Sequence, residues 1–361
     1  MMDKLKVGII GATGMVGQRL ITLLTNHPYF EISALIASPR SAGKPYEEAI
    51  KNRWKLSIDM PEKVKKLNIL SSDNVKEVAS LVDFVFCAVD MPKKDVIDLE
   101  NTYAKAEVPV VSCNSAHRWT PDVPMVIPEI NDEHLKVIES QRKRLGTEVG
   151  FVSVKPNCSI QSYVPALTPL LKFKPKRVVA TTYQAISGAG KTFKEWPEMI
   201  DNVIPYIGGE EEKSEQEPLR IWGKISNGEI VKANAPLIST QCIRVPVSDG
   251  HTAAVFVDFE IKPSKEEILE AWRSFKGKPQ ELELPNAPKQ FITYFEEDNR
   301  PQAALDRELY GGMGITLGRL RADTIFDYKF VGLSHNTLRG AAGGAVLIAE
   351  LLYREGYIVK K

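Results

Sequence analysis

Cys158 sits in Lys155-Pro-Asn-Cys-Ser159, after a short apolar run at 151–154 and before an expected helix at 159–170. A thiol at such a turn faces the backbone N–H groups of the helix N-terminus, which favour the thiolate. That thiolate can attack an activated carbonyl, whose oxygen then becomes an oxyanion. A free Cys is also a good small hydrophobe, so the thiol has to be read with its partners. In Arg244-Val-Pro-Val-Ser-Asp-Gly-His251, Arg and His flank a Ser-Asp-Gly turn between strand-like runs. A hairpin there presents both side chains at one mouth. The imidazole can take the thiol proton and later return it to an oxyanion or leaving group. The guanidinium can pair with a substrate carboxylate. A hairpin His can equally be a plain exposed side chain, and His27 and His134 read as surface residues near helix ends.

Arg118, in Asn114-Ser-Ala-His-Arg118 beyond a strand end, is either an anion ligand or an exposed loop residue. Ala185-Ile-Ser-Gly-Ala-Gly-Lys-Thr192 comes close to a phosphate-binding P-loop, but Ala185 replaces its first glycine. No later apolar run ends in an Asp placed to hold Mg²⁺. The segment reads better as a glycine loop beside the site, with Gln184 at its edge as an uncharged positioning group.

These residues need a scaffold. A strand at 6–10, the turn Gly11-Ala-Thr-Gly-Met-Val-Gly17, a helix at 15–24 and a strand at 31–37 form a βαβ unit. The spacing is G-x-x-G-x-x-G and not the commoner G-x-G-x-x-G. Gly11, Thr13, Gly14, Met15 and Val16 are the expected dinucleotide contacts. An NAD site places an acid after the second strand to bond the ribose 2′-OH. Here Ser38-Pro-Arg40-Ser41 offers hydroxyls and a guanidinium, which suit a 2′-phosphate and hence NADP.

Alternation continues with strands at 67–70, 83–89 and 108–112 and helices at 74–81 and 93–104. It predicts an α/β fold with a Rossmann-like doubly wound parallel sheet. Residues 41–66 show no clear pattern. After Cys158, strands at 177–183, 242–247, 252–261, 314–321 and 326–331 alternate with helices at 192–203, 210–222 and 265–275. This predicts a second α+β domain on a mostly antiparallel sheet. The expected domains are 1–157, completed by a C-terminal helix at 336–361, and a catalytic and dimerisation domain at 158–335.

With 43% hydrophobic and 26% charged residues, the 361-residue chain can bury a sizeable core. A net charge of +1 gives no electrostatic case for nucleic acid or an anionic membrane. Cys87, Cys113, Cys158 and Cys242 lie far apart, which argues against a metal knuckle or disulfide framework. No apolar run approaches the ~20 residues of a membrane span, nor does the start resemble a signal peptide. A cytoplasmic protein is expected.

One chemistry uses a thiol, an imidazole, anion-binding arginines and a nicotinamide cofactor together. The thiolate displaces the leaving group of an acyl phosphate or thioester, and hydride transfer then reduces the enzyme thioester to an aldehyde.

Gly11-Ala-Thr-Gly-Met-Val-Gly-Gln18, Ser112-Cys-Asn-Ser-Ala-His-Arg118, Lys155-Pro-Asn-Cys-Ser159, Tyr183-Gln-Ala-Ile-Ser-Gly-Ala-Gly190, Glu210-Glu-Glu-Lys213, Arg244-Val-Pro-Val-Ser-Asp-Gly-His251 and Asn336-Thr-Leu-Arg-Gly-Ala-Ala-Gly343 occur in this order. Together they resemble the aspartate-semialdehyde dehydrogenase family in its archaeal and fungal form, over essentially the whole chain. The resemblance implies Cys158 as nucleophile, His251 as acid/base and Gln184 as the group orienting substrate and acyl intermediate. It implies Arg244 for the substrate α-carboxylate and Glu210, or a neighbour in the Glu run, for the α-amino group. Arg118, Asn157 and Lys213 fall to the phosphoryl group, and Ser187, Gly188 and Asn336 to the cofactor. The implied reaction is NADPH-dependent reduction of an acyl phosphate, 4-phospho-aspartate, to aspartate semialdehyde and phosphate. It serves lysine, threonine and methionine synthesis, in a homodimer or homotetramer joined through the second sheet. A malonyl-CoA reductase of similar fold is the alternative enzyme; it admits CoA and binds no amino group. In a non-catalytic dinucleotide sensor, Cys158 and His251 would be incidental.

Overall fold

Near-continuous apolar runs build the first sheet because both of its faces are covered. The computed structural model describes residues 4–361. Strands β1 (Leu5–Ile10), β2 (Phe30–Ala37), β3 (Ile69–Ser71), β4 (Phe84–Cys87), β5 (Val110–Ser112) and β6 (Val152–Val154) lie in the order β3-β2-β1-β4-β5-β6. All pairings are parallel. Val7, Ile9, Phe84, Phe86, Val110 and Val152 are fully buried. Helices Met15–Leu24, Val75–Leu81 and Lys93–Lys105 match the expected ones closely.

Strand order reverses between β1 and β4, the switch point where such sheets bind ligands. Gly11 lies there with φ +86°, and a Cβ on it would fall 2.1 Å from the Ala88 carbonyl oxygen. Turn and close approach both demand glycine.

The second sheet comprises β7 (Pro175–Gln184), β10 (Leu237–Arg244), β11 (His251–Phe259), β12 (Ile292–Phe295), β13 (Ile315–Ala322) and β14 (Tyr328–Ser334). Its order is β10-β7-β11-β14-β13-β12. β8 (Lys224–Ser226) and β9 (Glu229–Val231) form a separate hairpin. β10–β7 and β12–β13 are parallel and the other pairings antiparallel, so the sheet is mixed. Along β11, Ala253, Val255 and Val257 are buried, while Thr252, Ala254 and Phe256 stay partly exposed. On the same face Phe330 of β14, paired with Val255, packs against Trp272 of helix Lys265–Ser274 with ring centroids 5.3 Å apart, and Trp272 donates to the Ala166 carbonyl at 2.8 Å. Among the described residues, no helix is long and apolar enough to cross a membrane.

Several local expectations fail for identifiable reasons. Residues 159–173 form three short pieces, Ser159–Ser162, Val164–Leu167 and Thr168–Phe173, instead of one helix. Pro165 and Pro169 lack the N–H groups that a continuous helix needs. The predicted helix at 192–203 reduces to a single turn, Pro197–Met199. Pro197 and Pro205 bias the residues before them away from helix. It also leaves the P-loop-like segment without the helix that motif requires. The final helix starts at Ala342, and residues 336–341 are turns. It packs against helix Met15–Leu24, as expected. Finally, β10 and β11 are not a hairpin. β7 lies between them, and residues 245–250 cross over its end.

Candidate active site

That crossover gathers the chemistry. Gln184 ends β7 opposite Arg244, which ends β10, and His251 begins β11 opposite Ser334 at the end of β14. All four strand ends therefore meet at one edge of the second sheet. The loop after β6 brings Cys158 to the same place from the first sheet. Cys158 Sγ lies 3.5 Å from His251 Nε2.

His251 is fully buried, and its Nδ1 accepts the Ala185 N–H at 3.0 Å. This bond assigns the ring proton to Nε2, the nitrogen that faces the sulfur. Burial, then the nearby positive charges of Arg244 and His335, push the imidazole pKa down to about 3. The neutral ring thus presents an N–H donor to Cys158. Arg244 Nη1 donates to the Ala185 carbonyl at 2.6 Å, so one residue anchors both side chains. Gly188 packs over them; a Cβ there would come within 2.8 Å of Arg244 Nη1 and 3.2 Å of His251 Nε2. Gln184 is buried, with Nε2 bonded to Thr182 Oγ1 at 3.2 Å.

Burial, and next the Glu210 carboxylate, push the Cys158 pKa above its ordinary value; Lys155, Arg118 and Arg244 oppose them. The expected lowering by a helix N-terminus is not realised. Lys155 belongs to the site although its motif position gave it no role. It is buried, and desolvation followed by Arg118 pushes its pKa down to about 8.

Helix Glu210–Ile221 supplies the opposite wall. Residues at i, i+3, i+4 and i+7 share one face; Glu210, Ser214 and Glu217 use it to meet the Cys158 loop, and Lys213 pairs with Glu210. Glu210 accepts two bonds from Asn157 Nδ2, both 3.0 Å, and one from Lys213 at 2.8 Å. Burial raises the Glu210 pKa, but Lys213 and these bonds outweigh it and hold the carboxyl below its ordinary value. Glu211 turns instead to the Cys242 N–H at 3.3 Å. Ser214 Oγ bonds Ser159 Oγ at 2.9 Å. Asn157 Oδ1 accepts the Ser159 N–H at 2.7 Å. Arg118 is buried and not an exposed loop residue; its Nε donates to the Lys155 carbonyl at 3.1 Å.

Of the cofactor candidates, Met15 and Ser187 line one cavity beside this site. Gly14 is exposed at the start of helix Met15–Leu24, with Thr13, Met15 and Val16 partly exposed beside it. Ser38 and Arg40 are exposed and Ser41 partly so, past the end of β2. A cavity of about 140 Å³ lined by Met15, Arg19, Lys55, Ser187, Ser248 and Asp249 leads from the helix to the second sheet. Asn336 accepts the Gly250 N–H at 2.8 Å and donates to Ser187 Oγ at 2.9 Å. A glycine turn open at a helix N-terminus, with a cationic rim, fits an anionic dinucleotide. Among the described residues, no group of three His, Cys, Asp or Glu could hold a metal ion.

His27 and His134 are buried, contrary to expectation. His27 bonds Glu350 at 2.7 Å, and His134 lies 3.0 Å from both Asn131 Nδ2 and the Gly223 carbonyl. Both tie elements together away from the cysteine.

Two family models match the chain: "Semialdehyde dehydrogenase, NAD binding domain" over residues 6–138 and "Semialdehyde dehydrogenase, dimerisation domain" over 167–339. The chain is 43% identical over 349 residues to an aspartate-semialdehyde dehydrogenase of Methanothermobacter thermautotrophicus, covering 96% of this chain and 98% of that one. It is 40% identical over 359 residues to that of Schizosaccharomyces pombe, covering 97% and 98%. Among solved structures, the Candida albicans aspartate semialdehyde dehydrogenase with NADP superimposes with a TM-score of 0.88 at 37% identity, covering 99% of this chain and all of that one.

Proposed function

The chain belongs to the aspartate-semialdehyde dehydrogenase family, an NADP-dependent oxidoreductase family, and on that premise we propose its reaction and residue roles. The reaction is the reversible reductive dephosphorylation of 4-phospho-L-aspartate to L-aspartate 4-semialdehyde and phosphate, through a thioester on Cys158. The observation that carries this reading is the pairing of Cys158 Sγ with the N–H edge of His251, 3.5 Å away, inside a ring of anion-binding groups.

Arg244 receives the substrate α-carboxylate, and Glu210 the α-amino group. Arg118, Lys213 and the Asn157 amide hold the phosphoryl group. The Cys158 sulfur attacks the acyl carbon, the C–O bond to phosphate breaks, and the thiol proton passes to a phosphoryl oxygen, so that hydrogen phosphate leaves against these donors. His251, neutral with its proton on Nε2, supplies the hydrogen bond that steadies the thiolate and then the oxyanion. Gln184 fixes the acyl carbonyl. Gly11, Thr13, Gly14, Met15, Val16, Ser187, Gly188 and Asn336 would hold NADPH, Ser38, Arg40 and Ser41 would receive its 2′-phosphate, and the cofactor would supply the hydride. Collapse of the resulting hemithioacetal returns the thiolate and releases the aldehyde.

Residues 1–157 with 336–361 form the cofactor domain, and 158–335 the catalytic one. The half-open face of β7, β11 and β14 supports association of two or four copies through the dimerisation domain. The product leads to lysine, threonine and methionine in a cytoplasmic setting. Glu210 and Lys213, facing the cysteine loop, favour an amino-acid substrate over malonyl-CoA. Phosphate-dependent NADP reduction with aspartate semialdehyde, assayed beside malonyl-CoA reduction, tests the reading. Activity with malonyl-CoA alone contradicts the substrate, and activity with neither points to a sensor.

A further inference from the structure

Glu217 takes no part in the chemistry above, yet it is fully buried at the centre of the site. Its Oε1 pairs with Arg118 Nη1 at 2.9 Å, and its Oε2 accepts the Asn157 N–H at 2.6 Å. The three residues come from different places. Arg118 follows β5 of the first sheet, Asn157 precedes the nucleophile, and Glu217 stands on helix Glu210–Ile221. Arg118 Nε is already used by the Lys155 carbonyl. Nη1 is fixed by Glu217, and Nη2 has no partner among the described residues. The guanidinium is therefore held at one edge and open at the other. The same helix face carries Glu210, which holds the Asn157 side chain and Lys213.

We infer that Glu217 is a positioning residue for the phosphoryl subsite: it sets Arg118 and the Asn157 backbone in one geometry across the two sheets. This rests on the proposed reading of Arg118, Asn157 and Lys213 as phosphoryl ligands. Only a carboxylate can accept from both donors at once. A glutamine offers one oxygen and one NH₂, so either Arg118 or the Asn157 N–H meets a donor. Glu217 touches neither the carboxylate anchor Arg244 nor the cofactor turn, and it reaches Glu210 only through Asn157, so its main influence falls on phosphate.

The test compares wild type with Glu217→Gln as NADP-bound full-length enzyme. Phosphate affinity is measured by ³¹P NMR titration, which needs no turnover. KM values for phosphate and aspartate semialdehyde are measured in the oxidative direction. The phosphate constants should weaken about tenfold or more, the worth of one charge-assisted bond. The NADP Kd should stay within about twofold, the size expected for sites with no shared partner, and the semialdehyde KM should change less than the phosphate constants, because Glu217 reaches Glu210 only through Asn157. In an Arg118→Ala background, Glu217→Gln should weaken phosphate little further. Unchanged phosphate constants, parallel weakening of all three constants, or full additivity with Arg118→Ala overturns the inference. Should Glu217→Gln fail to fold, Glu217→Asp retracts the carboxylate and keeps its charge; the same phosphate-selective loss is expected, and its absence is equally fatal. A wild type that binds phosphate but does not oxidise the semialdehyde refutes the proposed reaction and leaves the Glu217 titration readable.

Discussion

His251 presents its N–H edge to Cys158 across 3.5 Å because its other ring nitrogen is occupied by the Ala185 N–H. The neutral imidazole acts as a donor to sulfur and oxyanion. Replacing it by asparagine should lower kcat by about 10²–10⁴-fold, the usual worth of a positioned acid or base. NADP affinity, measured by fluorescence titration, should not move. A His251→Asn enzyme that keeps most of its kcat contradicts the assignment.

The thiol itself is held protonated in the free enzyme. Alkylation of Cys158 by iodoacetamide should therefore rise only at a pH above that of an ordinary thiol. Glu210 pushes the thiol pKa up and Lys155 pulls it down. The midpoint of the alkylation profile should thus fall in Glu210→Gln and rise in Lys155→Met. Shifts of the opposite sign are the failing result.

Burial of neutral His251 has a stability consequence. Its folded pKa, pushed down to about 3, lies below that of the unfolded chain, near 6.5. The unfolded state then binds the extra proton, and stability is lost as pH falls from about 6.5 toward 3. Between pH 7 and pH 5 this residue accounts for about 2 kcal/mol. His251→Asn should lose that much less stability over the interval in urea unfolding. Equal losses in both proteins contradict the burial argument.

Arg40 is exposed beyond β2, where no acid is present to prefer a ribose hydroxyl. Arg40→Ala should weaken NADPH by about 10–100-fold, as for a lost charge-assisted bond, and leave NADH nearly unchanged. Equal weakening of both nucleotides rules out the 2′-phosphate contact.

The cofactor unit was legible because its signals are local: an apolar strand, a glycine turn and a helix-period run follow one another within residues 5–24. The site was legible as a set of residues mainly through their resemblance to a family, since Cys158, Gln184, Arg244 and His251 meet only through strand order. Nothing in residues 244–251 shows that β7 intervenes between β10 and β11, so a hairpin was the natural reading. The sign of the thiol shift failed for the same reason, because burial and Glu210 come from elsewhere in the chain. Two signals were available but unused. Lys155 is a charge set between Val154 and Pro156 at the end of a buried strand. Glu217 lies seven residues after Glu210, on the same helical face.

The central claim is a covalent acyl-enzyme on Cys158. Incubation with aspartate semialdehyde and NADP⁺ without phosphate, followed by rapid acid quench and intact-mass and peptide mass spectrometry, tests it directly. One aspartyl group on Cys158 is expected, removed by added phosphate and absent from Cys158→Ala. Unmodified enzyme that still turns over, or an acyl group on Cys113 or any other residue, contradicts the account.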